Sequence, residues 1–163
     1  MNMDITYRTD VRPSDRNDVR QIVESTGFFS EAEIGIAVEL VEERLSKGQE
    51  SGYHFLFGEL TGRIIGYTCF GPIPATVSSY DIYWLAVHVD FRRSGIGKSL
   101  IEKTEEAIEK QGGQRIYIET SSRDQYRTTR MFHRACGYRE EAVLKDFYAP
   151  GDDKVIYVKA IRP

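Results

Sequence analysis

The apolar periodicities of this chain predict an α/β fold, an α+β mixed sheet with helices on its faces, in the order β-α-α-β-β-β-α-β-α-β-β. Two observations carry that prediction. Extended runs rich in β-branched and aromatic residues alternate along the chain with segments whose apolar positions recur at three and four residues. Turn-forming Gly, Pro, Ser and Asp residues punctuate the boundaries between them.

Ile5-Thr6-Tyr7-Arg8 reads as a short first strand. Pro13-Ser14-Asp15 supplies turn and capping chemistry for a helix over about Asp15–Ser25. Ser30 and Glu33 have capping-box spacing and open a second helix, whose Ile34, Ala37, Val38, Val41 and Leu45 form one buried face before Lys47-Gly48 ends it. Tyr53–Leu60 and Arg63–Phe70 are strands flanking Thr61-Gly62, a tight hairpin turn, and Pro72 and Pro74 break the second of them. Asp81–Val89 is apolar on both faces, as a central strand covered on two sides would be. A helix follows from Ile96 through Leu100, Ile101, Ala107 and Ile108 to the stop at Gly112-Gly113. Arg115–Thr120 is a strand, Gln125–Ala135 a helix closed by Gly137, and Glu140–Phe147 and Val155–Ile161 the last two strands.

A chain of 163 residues with 29% charged and 40% hydrophobic residues is expected to form one soluble domain, residues 1–163. Its net charge of -3 argues against general nucleic-acid binding, although a local basic cluster surrounds Arg92. Cys69 and Cys136 lack metal-ligand spacing and read as two reduced thiols of a cytoplasmic protein. No metal site is expected, since His54 and His88 have no partner spacing. No apolar run approaches the ~20 residues of a membrane span, and the first residues carry no secretory signal pattern.

Chemistry concentrates in Leu85-Ala86-Val87-His88-Val89-Asp90-Phe91-Arg92-Arg93-Ser94-Gly95-Ile96-Gly97-Lys98-Ser99-Leu100, where a buried strand enters a basic, glycine-bearing turn that opens a helix. Unpaired amides and the positive end of the helix dipole make such a turn an anion cradle. A P-loop would need a glycine where Arg92 stands, and a dinucleotide fingerprint would need one where Leu100 stands. The pattern [QR]-x-x-G-x-[GA] is matched by Arg92, Gly95 and Gly97. On these residues the chain resembles the GNAT acetyltransferase superfamily. The likeness extends to the order of elements and to Thr128-Thr129-Arg130-Met131-Phe132-His133-Arg134-Ala135-Cys136-Gly137-Tyr138, which is similar to the family's late helix.

The resemblance implies an acyl-CoA N-acyltransferase fold and an N-acetyltransferase that uses acetyl-coenzyme A as co-substrate. Ala86, Val87 and His88 would contact the pantetheine arm through their backbone, and an amide near Val87 would stabilise the oxyanion. Arg92, Arg93, Ser94, Gly95, Ile96, Gly97, Lys98 and Ser99 would hold the pyrophosphate, and Tyr126 would line the cofactor. Glu119 is the first candidate for general base and Asp81 the reserve. His133 occupies the place where relatives commonly carry a tyrosine acid, and an imidazolium of ordinary pKa ~6.5 would protonate the leaving thiolate. Phe28-Phe29 and the turn Asp146–Asp153 would overhang the acceptor, with Glu31, Asp152 and Asp153 suited to a cation. The resemblance implies an amine of a small molecule or peptide as acceptor, and no nucleic-acid or membrane partner is expected. Homodimers are common in the family, but the sequence carries no interface signature. A catalytically silent acyl-CoA-binding or sensor protein, and a nucleotide binder built on Gly97-Lys98-Ser99, are the rival readings.

Overall fold

A computed structural model describes residues 3–161. The elements are β1 (Ile5–Arg8), α1 (Asp15–Ser25), α2 (Glu31–Lys47), β2 (His54–Leu60), β3 (Arg63–Pro72), β4 (Ser79–Val87), α3 (Ile96–Lys110), β5 (Arg115–Ser121), α4 (Arg127–Ala135), β6 (Arg139–Ala149) and β7 (Asp152–Ala160). Their order is the expected one, and the strand order is β1-β2-β3-β4-β5-β7-β6. β4 and β5 run parallel, whereas β1–β2, β2–β3, β5–β7 and β6–β7 are antiparallel, so the sheet is mixed. Two compact units emerge, Met1–Gly71 with Trp84–Thr104, and Pro72–Tyr83 with Glu105–Pro163.

In the first unit, Val19, Ile22 and Val23 of α1 and Ile34, Ala37 and Val41 of α2 close over Phe55, Phe57 and Tyr67 of the sheet. Ser30 caps α2 as its spacing predicts: its side chain accepts from the Glu33 amide at 3.3 Å, and Glu33 accepts from the Ser30 amide at 2.7 Å. At α1 the expectation needs correction. The Ser14 side chain makes no capping bond; instead the buried Asp15 carboxylate accepts from the Arg12 amide at 2.7 Å. Thr61 and Gly62 both have positive φ, 49° and 79°, which is the geometry of a type I′ hairpin. The opposite face is covered by the first half of α3, where the Thr68 and Thr104 hydroxyls meet at 2.7 Å.

In the second unit, Ile116 and Ile118 of β5 and Tyr157 of β7 are buried, together with Ile108 of α3 and His133 of α4. Glu105 anchors the end of this core, accepting from the Tyr138 hydroxyl at 3.1 Å and from the Lys159 ammonium at 3.0 Å.

Several boundaries differ from expectation for local reasons. β3 runs on through Pro72, because a strand terminus can accept a residue without an N–H. β4 starts and ends two residues early, since Val89–Phe91 leaves the strand as a 3₁₀ turn. Ala149 pairs with Asp152, so Pro150-Gly151 alone turns the last hairpin. Asp124–Tyr126 forms a 3₁₀ turn before α4, which delays that helix to Arg127.

Candidate functional site

The predicted anion cradle lies within the first unit, and its shape is set by a series of short backbone bonds. As the chain leaves β4, the His88 amide donates to the Ile65 carbonyl at 2.8 Å. Phe91 then donates to the His88 carbonyl at 2.9 Å, and the Val89 amide donates to Ser25 Oγ at 3.1 Å. The backbone is left-handed at Arg93 and again at Gly95, with φ of 59° and 85°. Left-handed residues of this kind turn successive amides inward into an anion-binding concavity. The first bond that closes the helix runs from the Ser99 amide to the Gly95 carbonyl at 3.1 Å. The amides of Ile96, Gly97 and Lys98 precede it and have no acceptor within the helix. A Cβ placed on Gly95 would meet nothing within 4 Å, so the turn opens on space. These features fit a diphosphate.

The basic side chains around the turn differ in how they are held. Arg92 stacks on Phe28, its guanidinium carbon 5.0 Å from the ring centroid. Lys98 is exposed and 3.8 Å from Glu102. Ser94 spends its hydroxyl on the Phe91 carbonyl, and Ile96 buries its side chain, so each offers only its amide. Ser99 is also tied to the fold: its hydroxyl lies 2.5 Å from Tyr7 Oη and its amide donates to the Gly95 carbonyl. Ala86 is buried as expected. Gly66 escaped notice in the sequence, yet a Cβ there would stand 3.1 Å from both the Ala86 carbonyl and the Leu100 side chain. Any side chain there would make the neighbouring strand or Leu100 give by a few tenths of an ångström.

The remaining candidates lie in the second unit. Glu119 points away from the face of Ile116 and Ile118, as alternation along β5 requires. Lys154, unmarked in the sequence, reaches its Oε2 at 2.7 Å and also lies 4.2 Å from the Phe147 ring centroid. Asp81 is opposite Tyr117 in the β4–β5 ladder, which puts Asp81, Tyr117 and Glu119 on one sheet face. Burial, reinforced by the Glu119 charge, raises the Asp81 carboxyl to about 6, while Lys154 pulls the other way.

His133 departs from expectation. Its side chain is 4% exposed, and burial pushes the imidazole down to about 4, so it is neutral at neutral pH. The ring packs 5.6 Å from Tyr157, and Nδ1 has no hydrogen-bond partner among the described residues. The imidazolium that the ordinary pKa suggested is therefore replaced by a neutral ring in a core. Tyr126 is buried at the N-terminus of α4, with the Arg123 guanidinium 5.5 Å from its ring.

Of the acidic groups expected to greet a cation, Glu31 is exposed, 3.8 Å from Arg20, whereas Asp152 and Asp153 are engaged in the fold. Asp152 accepts from Ser121 Oγ and pairs with Arg123 at 3.2 Å, and Asp153 accepts from the Asp146 amide at 2.9 Å. Both stiffen the β6–β7 hairpin, which leaves Phe147 and Tyr148 about half exposed at its tip. Among the described residues no cluster of His, Cys, Asp and Glu could hold a metal ion, and no helix is long and apolar enough to cross a membrane.

A glycine turn that brings amides and arginines to a helix N-terminus is a geometry suited to a diphosphate group. Comparison with known proteins narrows the class: the model of the acetyltransferase (GNAT) family matches residues 18–138, and the chain belongs to that family. A GNAT-family crystal structure from Desulfovibrio desulfuricans superposes with a TM-score of 0.96 at 42% identity, covering 97% of this chain and 99% of that one. An N-alpha-acetyltransferase of Sulfolobus acidocaldarius is 27% identical over 115 residues, 64% of this chain and 67% of its own length. An aminoglycoside 6′-N-acetyltransferase complexed with coenzyme A shares the fold, with a TM-score of 0.77 at 17% identity over 99% of this chain and 98% of that one.

Proposed function

We propose that this protein transfers an acetyl group from acetyl-coenzyme A to a primary amine of a small molecule or peptide, by direct attack of nitrogen on the thioester. The observation that carries the reading is the cradle itself, with left-handed backbone at Arg93 and Gly95 leading into the open first turn of α3. Its amides and the guanidinium groups of Arg92 and Arg93 would hold the pyrophosphate, with Lys98 adding charge at the rim. The backbone of Ala86, Val87 and His88 would orient the pantetheine arm, and Tyr126 would line the cofactor. Acetyl-coenzyme A supplies an activated acyl carbon.

The chain's own contribution to the chemistry is electrostatic. An ordinary alkylamine with pKa near ~10.4 must lose a proton to attack. The carboxylates of Asp81 and Glu119 form the acidic face available to take it. The ammonium would give one proton to a carboxylate, which passes it to solvent, before attack. As the N–C bond forms and the C–S bond breaks, the nitrogen gives up its second proton to water and the sulfur leaves as a thiolate. A thiol of pKa near ~8.5 leaves without a dedicated acid, so the neutral His133 is no obstacle. A silent acyl-CoA-binding protein is the second reading, favoured by one observation: His133 stands uncharged where relatives commonly carry a tyrosine acid.

Calorimetric titration with acetyl-coenzyme A, against coenzyme A and Mg-ATP, on wild type and Gly97→Trp tests the cradle. Micromolar binding lost in the variant supports it; binding of Mg-ATP alone overturns it. Release of thiol with a panel of amines then separates the enzyme from the silent binder.

A further inference from the structure

Within the first unit, the segment that joins α1 to α2 is tied to the cradle, and the ties single out one ring. Ser25 Oγ donates to the Ile22 carbonyl at 2.6 Å and accepts from the Val89 amide at 3.1 Å. Thr26 Oγ1 donates to the Val23 carbonyl at 2.7 Å and accepts from the Phe28 amide at 3.4 Å, while Gly27 turns left-handed with φ of 72°. Phe29 sets its ring 4.9 Å from that of Trp84, and Ser30 begins the α2 capping box. Phe28 is thus held from both sides, with the Arg92 guanidinium 5.0 Å from the centre of its ring. Other arginines lean on carboxylates, as Arg8 does on Asp15, Arg123 on Asp152 and Arg134 on Glu140. Among the described residues Arg92 makes no ion pair and no side-chain hydrogen bond, so its charge rests on the ring alone.

The kind of partner matters. A carboxylate would take the guanidinium in its plane, cancel its charge and occupy the N–H fork that suits phosphate. A ring takes only the face, through its quadrupole, and leaves the charge and the in-plane donors for an anion. We propose that Phe28 is a positioning residue for the cofactor, one whose ring holds Arg92 ready for the diphosphate without neutralising it. The inference rests on the acetyl-coenzyme A reading above and deepens it: part of the affinity for the cofactor resides in the α1–α2 segment, outside the glycine turn. A long arginine side chain loses rotamer freedom when it binds, and a ring that restricts it beforehand lowers that cost.

The test is calorimetric titration with acetyl-coenzyme A, with no amine present, on wild type, Phe28→Leu, Arg92→Met and the double variant. Phe28→Leu is expected to weaken binding about 3- to 10-fold in the wild-type background. In the Arg92→Met background the same change is expected to cost less than about 2-fold. A ring that merely packed the segment would lower affinity alike in both. Phe28→Tyr keeps a π face and is expected to restore wild-type affinity. Equal losses in the two backgrounds, or no loss in either, overturn the proposal. The unfolding temperature and the emission of Trp84, the single tryptophan, show whether each variant keeps the segment in place. Where Phe28→Leu does not fold, phenylalanines with increasing ring fluorination at position 28 decide, since fluorine drains the π face and barely alters the shape. A graded loss of affinity along that series supports the proposal, and a flat series overturns it. Wild type that binds no acetyl-coenzyme A removes the functional reading and this inference with it. Wild type that binds it while Phe28→Leu costs the same in both backgrounds removes the positioning role alone.

Discussion

Arg8 grips Asp15 with both arms of its guanidinium, Nη2 to Oδ1 at 2.8 Å and Nη1 to Oδ2 at 3.0 Å, and the aspartate has no exposed surface. The same arginine donates through Nε to Glu59 at 2.8 Å and lies over the Phe57 ring. One cation thus ties β1, β2 and the start of α1 together.

Removing the buried partner leaves an arginine short of a counter-charge and the Arg12 amide without its acceptor. Loss of one member of a buried pair costs about 3–5 kcal/mol. Glu59 remains to hold Arg8, so Asp15→Ala is expected near the lower end of that range. Urea unfolding checks it, as a fall in the midpoint with an unchanged slope.

Gly95 has a φ of 85°, where a side chain costs roughly 1–2 kcal/mol although no neighbour obstructs it. Gly95→Ala is expected to lower the unfolding temperature modestly and to weaken acetyl-coenzyme A binding as the turn relaxes. Calorimetry on the folded variant reads the second effect. Equal affinity with lowered stability would show that the ligand does not depend on this backbone geometry.

His133 makes stability depend on pH with a definite sign. Its folded pKa is depressed to about 4 from an ordinary 6.5, so between those values the unfolded chain binds a proton that the folded chain refuses. Stability therefore falls as pH falls through that window, by on the order of 3 kcal/mol when complete. Asp81, raised to about 6, contributes with the opposite sign as pH drops toward its ordinary range. The difference between wild type and His133→Phe isolates the histidine. The variant should lose stability less steeply between pH 6.5 and 4 in thermal unfolding, and parallel curves would refute the assigned burial.

Much of the fold was legible because local chemistry decides it. Ser30 and Glu33 mark the start of α2, Thr61-Gly62 marks a hairpin, and Arg92, Gly95 and Gly97 mark the cradle. What stayed hidden depends on residues far apart in the chain. Lys154 meets Glu119 only because β7 lies beside β5, and no spacing in the sequence announces that. His133 is buried because Tyr157 and Tyr138 close around it, whereas helical position alone leaves it equally suited to surface or site. The contact between Ser99 and Tyr7 of β1 likewise joins residues far apart in the chain. Asp15 looked like a simple helix cap until Arg8 buried it.

β6 closes one end of the strand order and is exposed along nearly its whole length. An open strand of this kind is a template onto which any extended chain can add itself. Here the ladder slips at Glu140/Ala142 and again at Leu144/Ala149, and Asp146 turns left-handed with φ of 54°. Arg139, Glu140, Glu141, Lys145 and Asp146 crowd the same stretch with charge. An incoming strand would find neither a straight row of backbone groups nor an uncharged lane to lie in. The sheet is in this way self-terminating, a built-in safeguard against aggregation at the edge that needs it.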